Sequence, residues 1–288
     1  VTTGSSGGKG RKKTSSGTTS SGIVVVAVKP DGTFDTSYGD AGFARYDIDP
    51  SADDDAGIDG AVLQSDGSLV LLSRTSGLMR LDPTGDFDAS FGASGFVADP
   101  NARCLAIDAA DNLHTGATDP TTFVPSIRRY GPAGDLDTSF GTSGVVTLTG
   151  LYGLGVSGLA IDEVGSGQRR LVVATGIQDM YDGGVVAVRL LLDGYAASPG
   201  SYDTAFGPDG DGVSAPLRKS VDASVGTGLG LDSTWDGKLG LWNAWDVTVG
   251  GAGDVTIADA ITTYSYTDGN GDSQLATIEA SISRIEGN

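Results

Sequence analysis

The chain has 288 residues, a formal net charge of -19 and 46 glycines, which makes glycine more than twice as frequent as its usual share of roughly 7%. This content excludes a helical bundle, because glycine destabilises a helix interior by about 1 kcal/mol relative to alanine. The negative charge repels phosphate backbones, so we expect no nucleic acid partner.

Residues 1–22 are predicted to form a flexible arm, because Gly, Ser and Thr dominate them and Val1 is their only apolar residue. The arm holds four of the 18 basic residues and none of the 37 acidic ones, so residues 23–288 carry 14 positive and 37 negative side chains, a net charge of -23. Such an arm can bind its own acidic body, a second copy or an anionic surface. The alternative interpretation is a solvated linker or a remnant of processing.

Residues 23–288 are predicted to form one β-rich domain that begins with an apolar strand, residues 23–28. This strand is the longest purely apolar run and is far too short for a membrane span, so none is predicted. Few lysines, one cysteine, many Asp, Gly, Ser and Thr residues, and a start without Met together indicate an exported protein. We therefore expect an exported protein, either secreted or held at the cell surface.

A nine-residue pattern occurs four times in this domain, at intervals of roughly 50 to 65 residues, which indicates a repeat architecture. We call the copies turns I to IV; they occupy residues 31–39, 84–92, 133–141 and 199–207. The opening glycine of each copy permits the positive φ of a tight turn, and an aspartate three residues later can accept hydrogen bonds from downstream N–H groups. The aromatic residue is predicted to be a buried repeat anchor; the anchors are Tyr38, Phe91, Phe140 and Phe206.

Between the turns lie strand-like runs joined by short turns, of which the clearest is an Asp-Gly hairpin over residues 61–72. One unit is therefore about four short strands in roughly 50 residues, a pattern typical of a β-propeller blade. The predicted fold class is all-β and β-propeller-like, with about four four-stranded blades (four or five) behind a flexible N-terminal arm.

These motifs resemble the delta-60 repeat family, predicted β-propeller repeats of large bacterial secreted and surface proteins. The family pattern combines a hydrophobic-Asp-Gly-Lys hairpin, a Val-Arg-Leu strand and Asp-Gly-Ser-Leu-Asp-Thr-Ser-Phe-Gly. Asp137-Thr-Ser-Phe-Gly141 reproduces the core of the last element, the other turns depart from it at one or two positions, and the resemblance covers about residues 23–285. It implies a propeller fold and a surface setting, and it offers no catalytic signature to carry over.

Grouping the strands that follow each turn gives four blades, over residues 43–81, 96–130, 145–190 and 213–282. This grouping leaves one extra strand, formed by Ile23, Val24, Val25, Val26, Ala27 and Val28. The run 274–282 takes the equivalent place in the last blade, so two strands compete for one role. The extra strand is predicted either to close the ring within the chain or to pair with a second copy, because an open strand edge is a template for association.

Three groups of side chains are candidates for chemistry. Asp268, Asn270 and Asp272 alternate as calcium ligands do, and the other interpretation of them is a solvated acidic turn, so calcium is the one candidate cofactor. Trp235, Trp242 and Trp245 either stack on glycans or pack in the core. His114 lies on an alternating strand without a triad or metal-ligand spacing, and lone Cys104 is predicted to be a small buried hydrophobe.

The sequence therefore favours a non-catalytic structural or adhesive surface protein that self-assembles through its extra strand and basic arm. Its expected partners are copies of itself or other cell-surface components. The alternative is a carbohydrate-binding or carbohydrate-cleaving propeller that uses the tryptophans and loop acids.

Overall fold

The structure is a computed structural model that describes residues 22–47, 57–73, 76–151, 155–164, 167–178, 183–195, 197–215, 242–250, 255–261, 265–267, 273–275 and 279–285. These residues form 18 strands and no helix, so the described part of the chain is all-β, as predicted. None of it contains a helix capable of crossing a membrane. The arm lies outside the described residues, except for Gly22, which begins the first strand.

The strands follow one another in short runs, and most are five to eleven residues long. The first ten are β1 (Gly22–Val26), β2 (Phe43–Asp47), β3 (Ile58–Leu63), β4 (Leu69–Ser73), β5 (Gly77–Leu81), β6 (Phe96–Val97), β7 (Ala102–Ile107), β8 (Leu113–Thr118), β9 (Pro125–Tyr130) and β10 (Val145–Thr147). The others are β11 (Gly155–Val164), β12 (Gln168–Gln178), β13 (Gly183–Leu191), β14 (Trp242–Val249), β15 (Val255–Ile261), β16 (Ser265–Thr267), β17 (Ser273–Leu275) and β18 (Glu279–Ile285).

All the sheets are antiparallel, and in most of them neighbouring strands are also neighbours in sequence. The first sheet is β1–β2, the second β3–β4–β5–β6, the third β7–β8–β9–β10, the fourth β11–β12–β13, and the last β14–β15–β18; β16 and β17 form a separate small pair. A single bridge between Val188 and Val213 adds a vestigial fourth strand to the fourth sheet. No sheet of the described residues is closed on itself.

The predicted grouping of strands is wrong by one strand. The strand after each turn pairs with the strand before that turn, so the second sheet covers residues 58–97 and the third covers 102–147. The cause is the turn itself, which reverses the chain within a few residues and returns it along the strand it has just left, as the bridge between Leu81 and Phe87 shows. The strand of residues 43–47 accordingly belongs with β1, and the two form the first sheet.

The hydrophobic core lies between successive sheets. Alternation along β4 sends Leu71 into a cluster with Ile23 of the first sheet, whereas Val70 and Leu72 pack against the third sheet. Further clusters join the third sheet to the fourth and the fourth to the last. Each sheet therefore stacks on the next in chain order, and the leading strands β3, β7, β11 and β14 lie side by side in the same order.

Candidate functional site

Turns I to IV have one common geometry. Their opening glycines have positive φ, between 84° and 88°, as the sequence predicts for a tight turn. In turn I the N–H and hydroxyl of Ser37 donate to one carboxylate oxygen of Asp35, at 3.1 and 2.6 Å. The same pair of bonds recurs at Asp88 and Asp137, and the N–H of Ala205 donates to Asp203 at 3.0 Å. The hydroxyl bond is the largest of the contacts that lower the pKa of Asp35.

An arginine that the sequence analysis did not single out completes turns II to IV. Arg80, Arg129 and Arg189 each donate from Nε to the second carboxylate oxygen of the turn aspartate, at 2.8, 2.7 and 2.6 Å. Each guanidinium also lies over the aromatic anchor of its turn, 4.4 to 5.2 Å from the ring centroid. We call this arrangement the arginine clasp. Its sequence signal is an arginine near the end of the strand that precedes each of these turns, one residue before the last in β5 and β9 and two before the last in β13.

The aromatic anchors lie beneath the clasps. Phe91 and Phe140 have no exposed surface and Phe206 is 5% exposed, while Tyr38 of turn I is half-buried. Burial of large aromatic side chains contributes strongly to the stability of a protein core. The anchors therefore join each turn to the packing between its own sheet and the next one.

Successive turns are joined by hydrogen bonds. The N–H of Gly39 donates to the carbonyl of Thr84 at 2.7 Å, and those of Gly92 and Gly141 donate to Ala133 and Pro199 at 2.8 and 2.9 Å. Each acceptor directly precedes the opening glycine of the next turn. Turns I to IV therefore form a linear chain of contacts, in which the closing glycine of one turn holds the opening of the next.

Turn I is the exception, because no turn of the described residues precedes it in this chain of contacts. Gly85 and Gly134 lie against the preceding anchor, whereas no described atom lies within 4 Å of the place where a Cβ on Gly32 would stand. Ala27 also takes the position of the clasp arginine, since its carbonyl accepts from Asp35 N–H as those of the arginines do from their aspartates. Turn I thus has an open face and no clasp.

The strand before turn I is exposed on the same side. The register makes β1 the equivalent of β5, β9 and β13, the third strands of their sheets, because each bridges into its turn at the same place. Two positions of this third strand face the preceding sheet. Leu81 occupies one of them in the second sheet and Val188 the other in the fourth, and both are fully buried. The equivalent residues before turn I, Val28 and Val26, are 56% and 42% exposed. The outer edge of β1 pairs with no other strand among the described residues.

The last sheet is incomplete in the opposite way. Its third strand is β18, which places Arg284 opposite Thr256 as β5 places Arg80 opposite Val70. No fourth strand pairs with β18 among the described residues. Within the described residues, the first sheet therefore has a third and a fourth strand alone, and the last sheet has a first, a second and a third.

A buried polar network lies between the third and fourth sheets, around His114. This residue is fully buried and its Nε2 lies 3.3 Å from Asp108 Oδ2, while its Nδ1 has no hydrogen-bond partner. Arg169 lies 3.3 Å from the other oxygen of Asp108 and bonds Asp193 at 2.8 Å. Burial lowers the pKa of His114, and the opposing attraction of Asp108 does not restore it. The imidazole is therefore neutral, with Nε2–H donating to Asp108.

This network predicts a pH dependence of stability. Because the folded state holds His114 neutral while the unfolded chain protonates it below a pKa of about 6.5, unfolding takes up a proton as the pH falls through that value. The free energy of unfolding is expected to fall by about 1.4 kcal/mol per pH unit below pH 6.5. Urea unfolding at pH 7.5, 6.5 and 5.5 measures it, and since the chain has one histidine, His114→Gln should remove the slope. An equal slope in that variant would assign the effect to other groups.

The residues of the predicted calcium and glycan sites cannot be placed relative to one another from the described part of the chain. Asp268, Asn270, Asp272 and Trp235 lie outside the described residues, and Trp242 and Trp245 lie in β14 with side chains that are also outside the description. The predicted calcium and glycan sites stay predictions. Cys104 is buried, 7% exposed, and its Sγ lies 3.8 Å from the carbonyl oxygen of Gly116. Neither a model of a known protein family nor a curated protein sequence matches this chain, so the resemblance to delta-60 repeats rests on its turn motifs.

Proposed function

We propose that this chain is a non-catalytic extracellular protein of β-propeller-like architecture, which acts as a structural or adhesive component of a bacterial cell surface and assembles through its N-terminal strand. Support for the architecture comes from antiparallel sheets of up to four strands that stack face to face with their leading strands adjacent, as blades do. Support for the surface setting comes from the acidic, lysine-poor composition and the resemblance of the turns to delta-60 repeats.

The observation that carries the proposal is the open side of β1. Val24 and Val26 of β1, and Val28 two residues beyond its end, are 42% to 56% exposed. The strand itself ends at Val26, short of the predicted 28, and its outer edge has no strand partner among the described residues. An exposed, apolar strand edge is a template for pairing with another chain, and proteins that stay monomeric usually protect such edges. β1 carries no charged side chain that would protect its edge, which favours an edge that pairs with another chain.

The charge distribution supports assembly as well. Copies with a net charge of -23 on residues 23–288 repel one another, and each brings an arm with four basic residues immediately before β1. An arm of opposite charge to the body offsets that repulsion and steers association, an effect that salt weakens. The arm and the strand edge therefore act in the same process.

The proposal predicts polymers that grow with protein concentration and shrink in a variant of the open face. Val26→Lys should leave the folded monomer intact, because exposed substitutions usually change stability by less than about 0.5 kcal/mol, and it should strongly reduce assembly by placing a charge on the apolar face. Negative-stain electron microscopy and mass photometry over a concentration series measure both effects.

Phe123→Lys is the matched control, since Phe123 is an exposed apolar residue, 57% accessible, in the loop between β8 and β9. It should assemble like the wild type. Monomers at every concentration of the wild-type chain would contradict the proposal, and isolated closed rings would mean that β1 closes a propeller within one chain. Antibody labelling of intact source cells tests the surface location.

A further inference from the structure

The two incomplete sheets of this chain are complementary. The first sheet supplies a third and a fourth strand around turn I, and the described part of the chain contains no strand in the two places that precede them in a full sheet. The last sheet supplies those two strands, β14 and β15, with β18 in the third position. Placed together, β14 and β15 of one copy and β1 and β2 of another make one four-stranded sheet with its turn, like the second and third sheets.

We infer that β1, turn I and β2 of one copy complete the last sheet of a second copy, with β1 taking the place of β18 on β15. This inference rests on the proposed function and names its partner as a second copy of this chain. The contact joins two different surfaces, so it is heterologous and generates an open polymer rather than a closed dimer.

The apolar character of the two competing strands favours the exchange. In the register shared by all third strands, Val24 and Val26 of β1 correspond to Ser281 and Ser283 of β18. Val26 and Val28, exposed in the isolated first sheet, would face the fourth sheet of the second copy, where Val172, Ala174, Val185 and Ala187 already form an apolar cluster. Burying exposed valines against such a surface is the main driving force for strand exchange.

The turns give a second, independent match. In the completed sheet turn I follows turn IV, so Gly32 takes the place relative to turn IV that Gly85 takes relative to turn I. The carbonyl of Asp31 is then placed to accept from the N–H of Gly207, as those of Thr84, Ala133 and Pro199 accept from the preceding turns. Among the described residues no carbonyl accepts from Gly207 N–H. Gly32 and the Gly207 N–H, which has no acceptor among the described residues, therefore match each other across two copies.

Charge does not oppose the contact. The polar residues of β15 in this register are Thr256 and Asp259, and Ala27, one residue beyond β1, would lie opposite Thr256 in place of Arg284. Thr248 and Thr256 lie opposite each other on β14 and β15, with Thr248 exposed. These threonines offer positions for cysteines whose replacement leaves the core unchanged.

A disulfide that locks β18 in place tests the inference. Opposed residues of antiparallel strands have Cα atoms about 4.5 to 5.5 Å apart, within the range a disulfide spans, so Thr256→Cys with Arg284→Cys should close under oxidation. We expect the oxidised lock to abolish polymers and its reduction to restore them. The matched control, Thr248→Cys with Thr256→Cys, ties β14 to β15 without involving β18 and should polymerise in both states.

A second pair reports the predicted register directly. Ala27→Cys with Thr256→Cys should give a ladder of covalent multimers on oxidation, seen by non-reducing electrophoresis and mass spectrometry. Polymers that persist in the oxidised lock would overturn this inference and leave the proposed assembly standing. A disulfide between residues 27 and 256 within one monomer would overturn it in favour of closure in the same chain. Absence of polymers from the wild-type chain would instead refute the proposed function.

Discussion

Replacing Arg189 with methionine is expected to lower the free energy of unfolding by about 3 kcal/mol, because it leaves a buried carboxylate without its main partner. Arg189 is 2% exposed and Asp203 is 6% exposed, and their side chains bond at 2.6 Å. Methionine keeps most of the packing over Phe206, so the loss reports the ion pair and the cation–π contact. Arg170 lies 3.5 Å from the same carboxylate and still partly neutralises it. The expected loss is therefore at the lower end of the range for a broken buried ion pair. Urea unfolding measures it.

Two further variants separate the clasp from a general loss of charge. Arg103→Met removes an arginine that is 42% exposed and 3.9 Å from Asp59, and it should cost less than about 1 kcal/mol, as surface pairs do. Adding Asp203→Asn to Arg189→Met neutralises the stranded carboxylate and keeps the acceptor for Ala205 N–H, so it should recover about 1 kcal/mol. Equal losses for Arg103→Met and Arg189→Met would refute the clasp as a stabilising unit.

The opening glycines of turns III and I provide a matched pair for the contact between turns. Gly134→Ala is expected to lower the free energy of unfolding by about 3 kcal/mol, and Gly32→Ala by about 1 to 2 kcal/mol. The backbone cost is shared, since φ is 87° and 84°. The difference is packing, because a Cβ on Gly134 would lie 2.8 Å from Val97 Cγ2 and 3.0 Å from Phe91 Cε2, whereas nothing lies within 4 Å at Gly32.

Thermal and urea unfolding of the two variants, at concentrations where the wild type is monomeric, give the comparison. If both variants lose the same stability, the stacking of turn III on turn II contributes nothing and the chain of turn contacts is not a source of stability. In polymers the difference between the two variants in the free energy of unfolding should be smaller, because Gly32 is then covered by a second copy. Gly32→Ala should therefore reduce polymer formation while its monomer stays folded.

Local patterns in the sequence were sufficient for much of the fold. The tight turns follow from glycine and aspartate chemistry within a few residues, and the hairpin of β3 and β4 follows from alternation around Asp66-Gly67. These features depend on contacts between near neighbours in the chain, which residue order specifies directly. The β-rich class, the number of turns and an apolar strand within residues 23–28 were predictable for the same reason, although that strand spans Gly22–Val26 and pairs with β2 instead of being an extra strand.

The partners of those strands were decided by the tertiary structure. Residues 43–47 and 96–97 read as strands in the sequence, yet their pattern does not say whether they pair forwards or backwards along the chain. The arginine clasps could not be predicted from the sequence either, because Arg189 and Asp203 are separated by 14 residues and meet only when the turn folds back. His114 offered no motif, and its burial beside Asp108 and Arg169 depends on two sheets packing together.

The sequence by itself determined that this protein is a series of similar β units that begins with an apolar strand, because apolar alternation and turn residues act locally. Only the tertiary structure decided that this strand pairs with β2, and that it and β18 hold the same third position in two sheets that are incomplete among the described residues. The physical reason is that a strand's register and open edge are properties of its neighbours, which pairing and packing between distant residues alone can set.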